Sequence, residues 1–148
     1  LPYILSVYII LYLIIYVESL DEIMNVHLQG LDKDSPDIFK VPLDILCEFG
    51  VINNMIEDSS EESNTIPLPN MSPDNFTLAI DVLLYEMPEY YNEDISDLFS
   101  PKNIESCTDE EIWDLIMFYD QYDNNKLLKL SYDMFAKKNF GKLPADFN

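Results

Sequence analysis

Residues 66–76, IPLPNMSPDNF, predict a strand that passes directly into a helix. Each proline pushes the residue before it into an extended conformation, so Ile66 and Leu68 belong to a short strand. Ser72 is a suitable N-cap residue, and Pro73 fits the first position of a helix. This junction separates an upstream part that contains strands from a downstream part that is mainly helical.

Upstream of the junction, the pattern predicts a hairpin followed by short helices. Apolar and polar residues alternate over residues 24–29, which predicts a half-buried strand, and residues 38–41 predict the second strand of a hairpin. Residues 42–58 are expected to form one or two helices broken near Gly50, because their apolar residues recur at helical spacings of three and four. These apolar residues are Leu43, Leu46, Phe49, Ile52 and Ile56.

Downstream of the junction, the chain predicts three helices. The first ends before Pro88, and residues 86–98 are an acidic, aromatic linker without a clear period. Thr108 and Glu111 match a capping box that starts the second helix, and the third is expected over residues 126–138. The apolar stripes of the first two helices are Phe76, Ile80, Leu83 and Leu84, then Ile112, Leu115, Ile116 and Tyr119. The order of hairpin, helices, short strand and helices predicts an α+β domain.

Composition excludes several functions. The chain has 148 residues and a net charge of −20, and its eight basic residues are all lysines. Such a charge repels phosphate backbones, so nucleic acid is excluded as a partner. His27 is the single histidine, and the three glycines lie far apart, which leaves little material for zinc sites, histidine-based catalysis or a phosphate loop. We therefore expect no enzymatic activity, no cofactor and no metal. The two cysteines suit a reducing compartment.

The first 17 residues are apolar or aromatic except for Pro2 and Ser6. This length is the short limit for a helix that spans a bilayer, which needs about 20 residues. Three interpretations stay open: a membrane anchor, a buried hydrophobic element, or upstream sequence translated from a start placed too early. The pattern of a soluble domain begins at Met24, so residues 1–23 are expected to be a hydrophobic leader outside the domain. Membrane contact is expected only if residues 1–17 are native.

An ordered set of short matches from Met24 to Asn148 resembles the Skp1 family of BTB/POZ-type ubiquitin-ligase adaptors. The first matches are Phe39-Lys40-Val41, Met55-Ile56-Glu57-Asp58, an acidic loop and Ile66-Pro67-Leu68-Pro69-Asn70. The later ones are Leu115-Ile116, Asp123, Leu127-Leu128, Ala136 and Gly141-Lys142-Leu143-Pro144. The resemblance implies a BTB/POZ fold, in which a small sheet with an N-terminal hairpin packs against several helices. It assigns residues 24–125 to the POZ-like domain and residues 126–148 to a partial F-box-binding extension.

The resemblance also implies a role and a location. Skp1-like proteins link a cullin scaffold to F-box proteins, which bring substrates for ubiquitination, and the implied location is the cytoplasm and the nucleus. Such an adaptor needs apolar patches with polar rims and no catalytic residues. The strong acidity would keep the protein soluble and could steer it towards basic partner surfaces.

Two departures from the family affect the expected partner surfaces. The cullin-facing turn of the family usually reads Asn-Tyr-Leu-Asp, whereas the aligned residues here are Asp120-Gln121-Tyr122-Asp123. We expect Asp120, Gln121 and Tyr122 to face the cullin, with the aromatic residue moved by one place. The chain also ends earlier than family members do, so only part of the F-box surface is expected. The expected F-box-facing residues are Tyr132, Phe135, Leu143 and Pro144; burial in the core is the alternative for the two aromatic residues.

Two other functions stay open. A truncated competitor would bind only the cullin or only the F-box protein and would block assembly. A membrane-anchored acidic protein without an adaptor role would depend on residues 1–17.

Overall fold

The computed structural model describes residues 2–20, 23–29, 37–59 and 64–140 and shows an α+β fold. Its helices and strands, in chain order, are α1 (Pro2–Leu20), β1 (Ile23–Gln29), β2 (Asp37–Pro42), α2 (Leu43–Leu46), α3 (Gly50–Asp58), β3 (Thr65–Pro69), α4 (Pro73–Glu86), α5 (Asp109–Tyr122) and α6 (Asn125–Asn139). Single 3-10 turns lie at Pro88–Tyr90 and Ile104–Ser106. The predicted fold class is confirmed.

The sheet places β1 in the middle, in the order β2-β1-β3. β1 and β2 are antiparallel, which confirms the predicted hairpin. The residues that connect them, 30–36, lie outside the described residues. β3 runs parallel to β1, and as an edge strand it tolerates Pro67 and Pro69, which cannot donate hydrogen bonds. The face towards the helices is buried and consists of Met24, Val26, Leu28, Val41, Ile66 and Leu68.

The helical stretch after the hairpin breaks where the sequence predicts, because α2 ends at Leu46 and α3 begins at Gly50. Phe49, between the two helices, is fully buried. Its ring lies 5.5 Å from the Phe118 ring and 6.3 Å from the Tyr119 ring, measured between centroids. The break therefore directs an aromatic side chain into the core against α5.

Helix α4 lies at the centre of the core. Its start is as predicted: the Ser72 hydroxyl accepts a hydrogen bond from the Asn75 N–H at 3.1 Å. All four predicted stripe residues are buried, and Ala79 and Val82 are buried as well. The buried face is wide because α4 packs against two neighbours. The Phe76 ring lies 5.4 Å from that of Phe39 in β2, and the helix also contacts α5.

The segment between α4 and α5, which was predicted to be a linker, packs against the core. Ile95 and Phe99 are each 2% exposed. The Phe99 ring lies 6.0 Å from the Phe39 ring and 6.1 Å from the Phe76 ring. Single apolar residues without helical or strand spacing can thus anchor an irregular segment to the core, because each side chain is buried separately.

Helix α1 forms most of the hydrophobic leader. Its described side chains, from Tyr3 to Ile14, are all exposed, which contradicts the interpretation of this stretch as a buried element. Within the described part of the chain, no helix combines the length and the hydropathy that crossing a membrane requires. The adjoining strand β1 begins at Ile23, and the division of the chain into leader, domain and extension stays a prediction.

Candidate protein-interaction surface

The start of α5 is fixed by the predicted capping box. The Glu111 N–H donates to the Thr108 hydroxyl at 3.1 Å, and the Thr108 N–H donates to the Glu111 carboxylate at 2.9 Å. Lys102 forms an ion pair with the same carboxylate at 3.0 Å. The hydrogen bond from the Thr108 N–H, helped by Lys102, lowers the pKa of Glu111. These contacts orient the first turn of α5.

The turn between α5 and α6 is held by a left-handed residue and a buried cap. Asp123 has φ 64° and ends α5, a conformation that Asp tolerates better than most residues. The Asn124 side chain accepts a hydrogen bond from the Leu127 N–H at 2.9 Å and so caps α6. Asn124 is 6% exposed, and its amide also donates to the Glu48 carbonyl at 2.9 Å.

Helices α5 and α6 form an antiparallel pair. The end of α6 lies beside the residues before α5, since Lys138 donates to the Cys107 carbonyl and Lys137 lies 3.7 Å from the Glu105 carboxylate. Leu127 and Ser131 are the buried residues of α6, so most of this helix is accessible. The pair therefore presents a broad surface on one side of the fold.

A cluster of apolar side chains lies on the accessible side of this pair, and we call it the α5–α6 patch. Its members are Trp113 and Met117 on α5, with Tyr132 and Phe135 on α6. Trp113 is 53% exposed, and its ring lies 6.3 Å from that of the partly buried Phe135. Met117 is 56% exposed and Tyr132 is 52% exposed. Met117 follows Trp113 by four positions and Tyr132 precedes Phe135 by three, so each shares a helix face with one of the two rings in contact. Large apolar side chains with this exposure on one face are typical of partner-binding surfaces.

The three residues expected to face a cullin do not share one environment. Asp120 and Gln121 are exposed at the end of α5. Tyr122 is 3% exposed and packs against Phe118, with 4.8 Å between the ring centroids. The expectation that Tyr122 presents an aromatic ring at the surface is therefore corrected. It follows Tyr119 by three positions and so lies on the buried face of the helix.

The residues expected to face an F-box protein are only partly described. Tyr132 is exposed, whereas Phe135 is half-buried against Trp113. Tyr132 is therefore as exposed as expected, whereas Phe135 is only partly exposed. Leu143 and Pro144 lie outside the described residues. Whether any of them contacts a partner stays a prediction.

Two members of the patch, Trp113 and Met117, do not belong to the predicted apolar stripe of α5 and were not predicted as surface contacts. The missed signal is the spacing of four residues between them, which places both on one face of α5. Their apolar character is unusual there because this face otherwise consists of polar residues such as Asp120 and Gln121.

Three ionisable side chains elsewhere in the fold, Cys47, Cys107 and Tyr90, have a raised pKa. Desolvation raises the pKa of both thiols, the buried Cys107 and the exposed Cys47, and the Asp44 carboxylate raises that of Cys47 further; both shifts favour the protonated thiol. The Tyr90 hydroxyl donates to the Glu48 carboxylate at 2.5 Å, and this bond raises the pKa of Tyr90. Across the ranges that the structure covers, no group of His, Cys, Asp and Glu side chains could hold a metal ion. The arrangement suits binding of a protein surface.

Comparison with known proteins finds a family match for the part of the chain from β1 into α4. Residues 25–81 match the family described as "Skp1 family, tetramerisation domain", a match that runs from β1 into α4 and ends before α5. No similar curated protein was found. Domains of this family are adaptors rather than enzymes. The match agrees with the hairpin, the small sheet and the helices around it, and we call residues 25–81 the POZ domain.

Proposed function

We propose that this protein is an adaptor that links a cullin scaffold to F-box substrate receptors in a ubiquitin ligase. It acts in the cytoplasm and the nucleus and has no enzymatic activity of its own. The Skp1-family POZ domain supports the class of protein. In the proposal, residues 24–125 form a wider POZ-like domain that contains the POZ domain of residues 25–81, and residues 126–148 extend the surface for the F-box protein.

The observation that carries the proposal is the α5–α6 patch. Trp113, Met117 and Tyr132 are each about half exposed. Soluble monomers rarely expose several large apolar side chains in one area unless a partner covers them. Tryptophan and tyrosine are also the side chains that most often dominate binding energy at interfaces. The patch is apolar, while the chain as a whole has a net charge of −20, so it differs sharply from the surrounding surface.

Co-purification of the full chain tests the proposal. A tagged chain co-expressed with a cullin and an F-box protein is expected to recover both in one complex, with a 1:1:1 stoichiometry. A chain with Trp113→Ala is expected to retain the cullin and lose most of the F-box protein. Recovery of neither partner by the unmodified chain would contradict the proposal.

A second candidate is a competitor that binds the F-box protein and does not recruit the cullin. One observation favours it: at the end of α5 the exposed residues Asp120 and Gln121 are polar, while the aromatic Tyr122 is buried. Loss of an aromatic contact at the centre of an interface can remove about 2 kcal/mol of binding free energy. In the same experiment, recovery of the F-box protein without the cullin would select the competitor over the adaptor.

A further inference from the structure

Helix α3 has no cap of its own, and the turn between α5 and α6 supplies one. Phe49 occupies the N-cap position of α3 and makes no side-chain capping bond. Instead the Gly50 N–H donates to the Asp123 carbonyl at 2.9 Å. Asp123 reaches this position in the left-handed conformation, with φ 64°. A residue 73 positions later in the chain therefore satisfies a helix end that would otherwise lack a partner.

The Asp123 carboxylate occupies the space beside Gly50 that a side chain would need. A β-carbon added to Gly50 would lie 2.5 Å from Oδ2 and 3.2 Å from Cγ of Asp123. The negative charge also lies at the positive end of α3, which is the favourable end of the helix dipole. The Asp123 side chain can therefore keep this position only because residue 50 is a glycine.

Asn124 ties the same turn to the preceding residues. Its amide donates to the Glu48 carbonyl at 2.9 Å, while its oxygen caps α6 through the Leu127 N–H. The Glu48 side chain is itself held by the Tyr90 hydroxyl at 2.5 Å. We call the bonds between residues 48–50 and residues 123–124 the α3–turn contact. It joins the POZ domain to the helical pair through two hydrogen bonds and one close approach.

We propose that Gly50, Asp123 and Asn124 are positioning residues for the cullin-facing end of α5, an inference that rests on the proposed function. Asp120 and Gln121 lie within the last turn of α5, directly before the α3–turn contact. Trp113 lies eight residues before Gln121, about 12 Å away along the helix. The α3–turn contact therefore fixes the end of α5 that carries Asp120 and Gln121 against residues 48–50, whereas Trp113 lies nearer the start of the helix.

Hydrogen–deuterium exchange on the free chain tests the positioning step without any partner. Gly50→Ala is expected to increase amide exchange over residues 120–124, because the new β-carbon displaces the Asp123 carboxylate. In a chain that already contains Asp123→Gly, the same substitution is expected to have little further effect, since glycine removes the carboxylate and tolerates the left-handed conformation. Unchanged exchange in Gly50→Ala would overturn the inference.

Binding measurements test the functional step. Asn124→Ser keeps a capping hydroxyl for α6 but is too short to reach the Glu48 carbonyl. Its dissociation constant for a recombinant cullin is expected to rise about tenfold, while that for a recombinant F-box domain stays within about twofold of the unmodified chain. Ser72→Ala, which removes the cap of α4 instead, serves as a control for general loss of stability and should change neither constant.

The outcomes separate this inference from the proposed function. An equal loss of affinity for both partners in Asn124→Ser would overturn the inference and leave the adaptor role intact, and so would no loss for either. An unmodified chain that binds no cullin would instead overturn the adaptor role and with it the functional step. The exchange measurement would still decide whether Gly50 and Asp123 hold the turn.

Discussion

The POZ domain and the α5–α6 pair differ in the exposure of their aromatic residues, because only the pair also presents large rings at its surface. In the POZ domain, Phe49 and Phe76 are fully buried, and they form ring contacts with neighbours from several elements. In the helical pair, Trp113 and Tyr132 are each more than half exposed. The rings of the POZ domain therefore stabilise the fold, as do the inner rings of α5, Phe118, Tyr119 and Tyr122, whereas the outer rings Trp113 and Tyr132 are available to a partner. A substitution should affect stability at the buried rings and binding at the two exposed ones.

The largest expected effect is on the stability of the POZ domain. Phe76→Ala should lower the free energy of unfolding by about 3–5 kcal/mol, because it leaves a cavity between the rings of Phe39, Phe99 and Phe118. Tyr132→Ala, the matched control in the helical pair, should lower it by about 0.5 kcal/mol or less. Urea unfolding followed by circular dichroism measures both. Similar losses in the two variants would remove the contrast between the regions.

The next effect is on binding by the helical pair. Trp113→Ala should weaken binding to an F-box domain by about 2 kcal/mol, or about 30-fold, with a much smaller change in unfolding free energy. Leu98→Ala is the control, since Leu98 is 43% exposed but lies outside α5 and α6. Isothermal titration calorimetry gives the constants. An unchanged constant in Trp113→Ala would show that exposure in the patch does not indicate binding.

A smaller effect should come from the capping box that starts α5. Thr108→Ala removes the hydroxyl that accepts from the Glu111 N–H and should cost about 1 kcal/mol of stability. Thr108→Ser keeps that hydroxyl and should behave nearly as the unmodified chain does. The midpoint of thermal unfolding distinguishes them. If both variants lost the same stability, the packing of the threonine methyl group would be the cause.

The smallest expected effect is a pH dependence at the same cap. The pKa of Glu111 is lower in the folded protein than its ordinary value, so its contribution to stability is complete above about pH 5 and is lost as pH falls through the folded pKa. The difference in unfolding free energy between the unmodified chain and Glu111→Gln should therefore shrink as the pH falls below about 4. Urea unfolding at pH 6 and pH 3 measures it, and a constant difference would contradict this account.

The sequence predicted most of the POZ domain because its signals are local. The alternation before Gln29, the proline spacing in β3 and the Ser72 cap each involve residues a few positions apart. Steric and hydrogen-bonding rules act at that range. The parallel pairing of β3 with β1 was not predicted, since it joins strands that are about 40 residues apart.

The candidate site was harder to predict because exposure depends on distant contacts. Tyr122 was assigned to the surface from the family alignment, although its spacing from Tyr119 already indicated the buried face. Met117 was missed, and Phe135 is half-buried because Trp113 packs against it across two helices. The segment around Ile95 and Phe99 gave no periodic signal at all, yet both side chains enter the core.

The sequence by itself determined the class of fold, the positions of the strands and helices, and the strong acidity of the chain. These depend on composition and on contacts between near neighbours in the chain. Only the tertiary structure determined which aromatic residues are accessible and which turn caps α3. The Gly50 N–H and the Asp123 carbonyl meet only once the POZ domain and the helical pair have packed together, so no local pattern could reveal them.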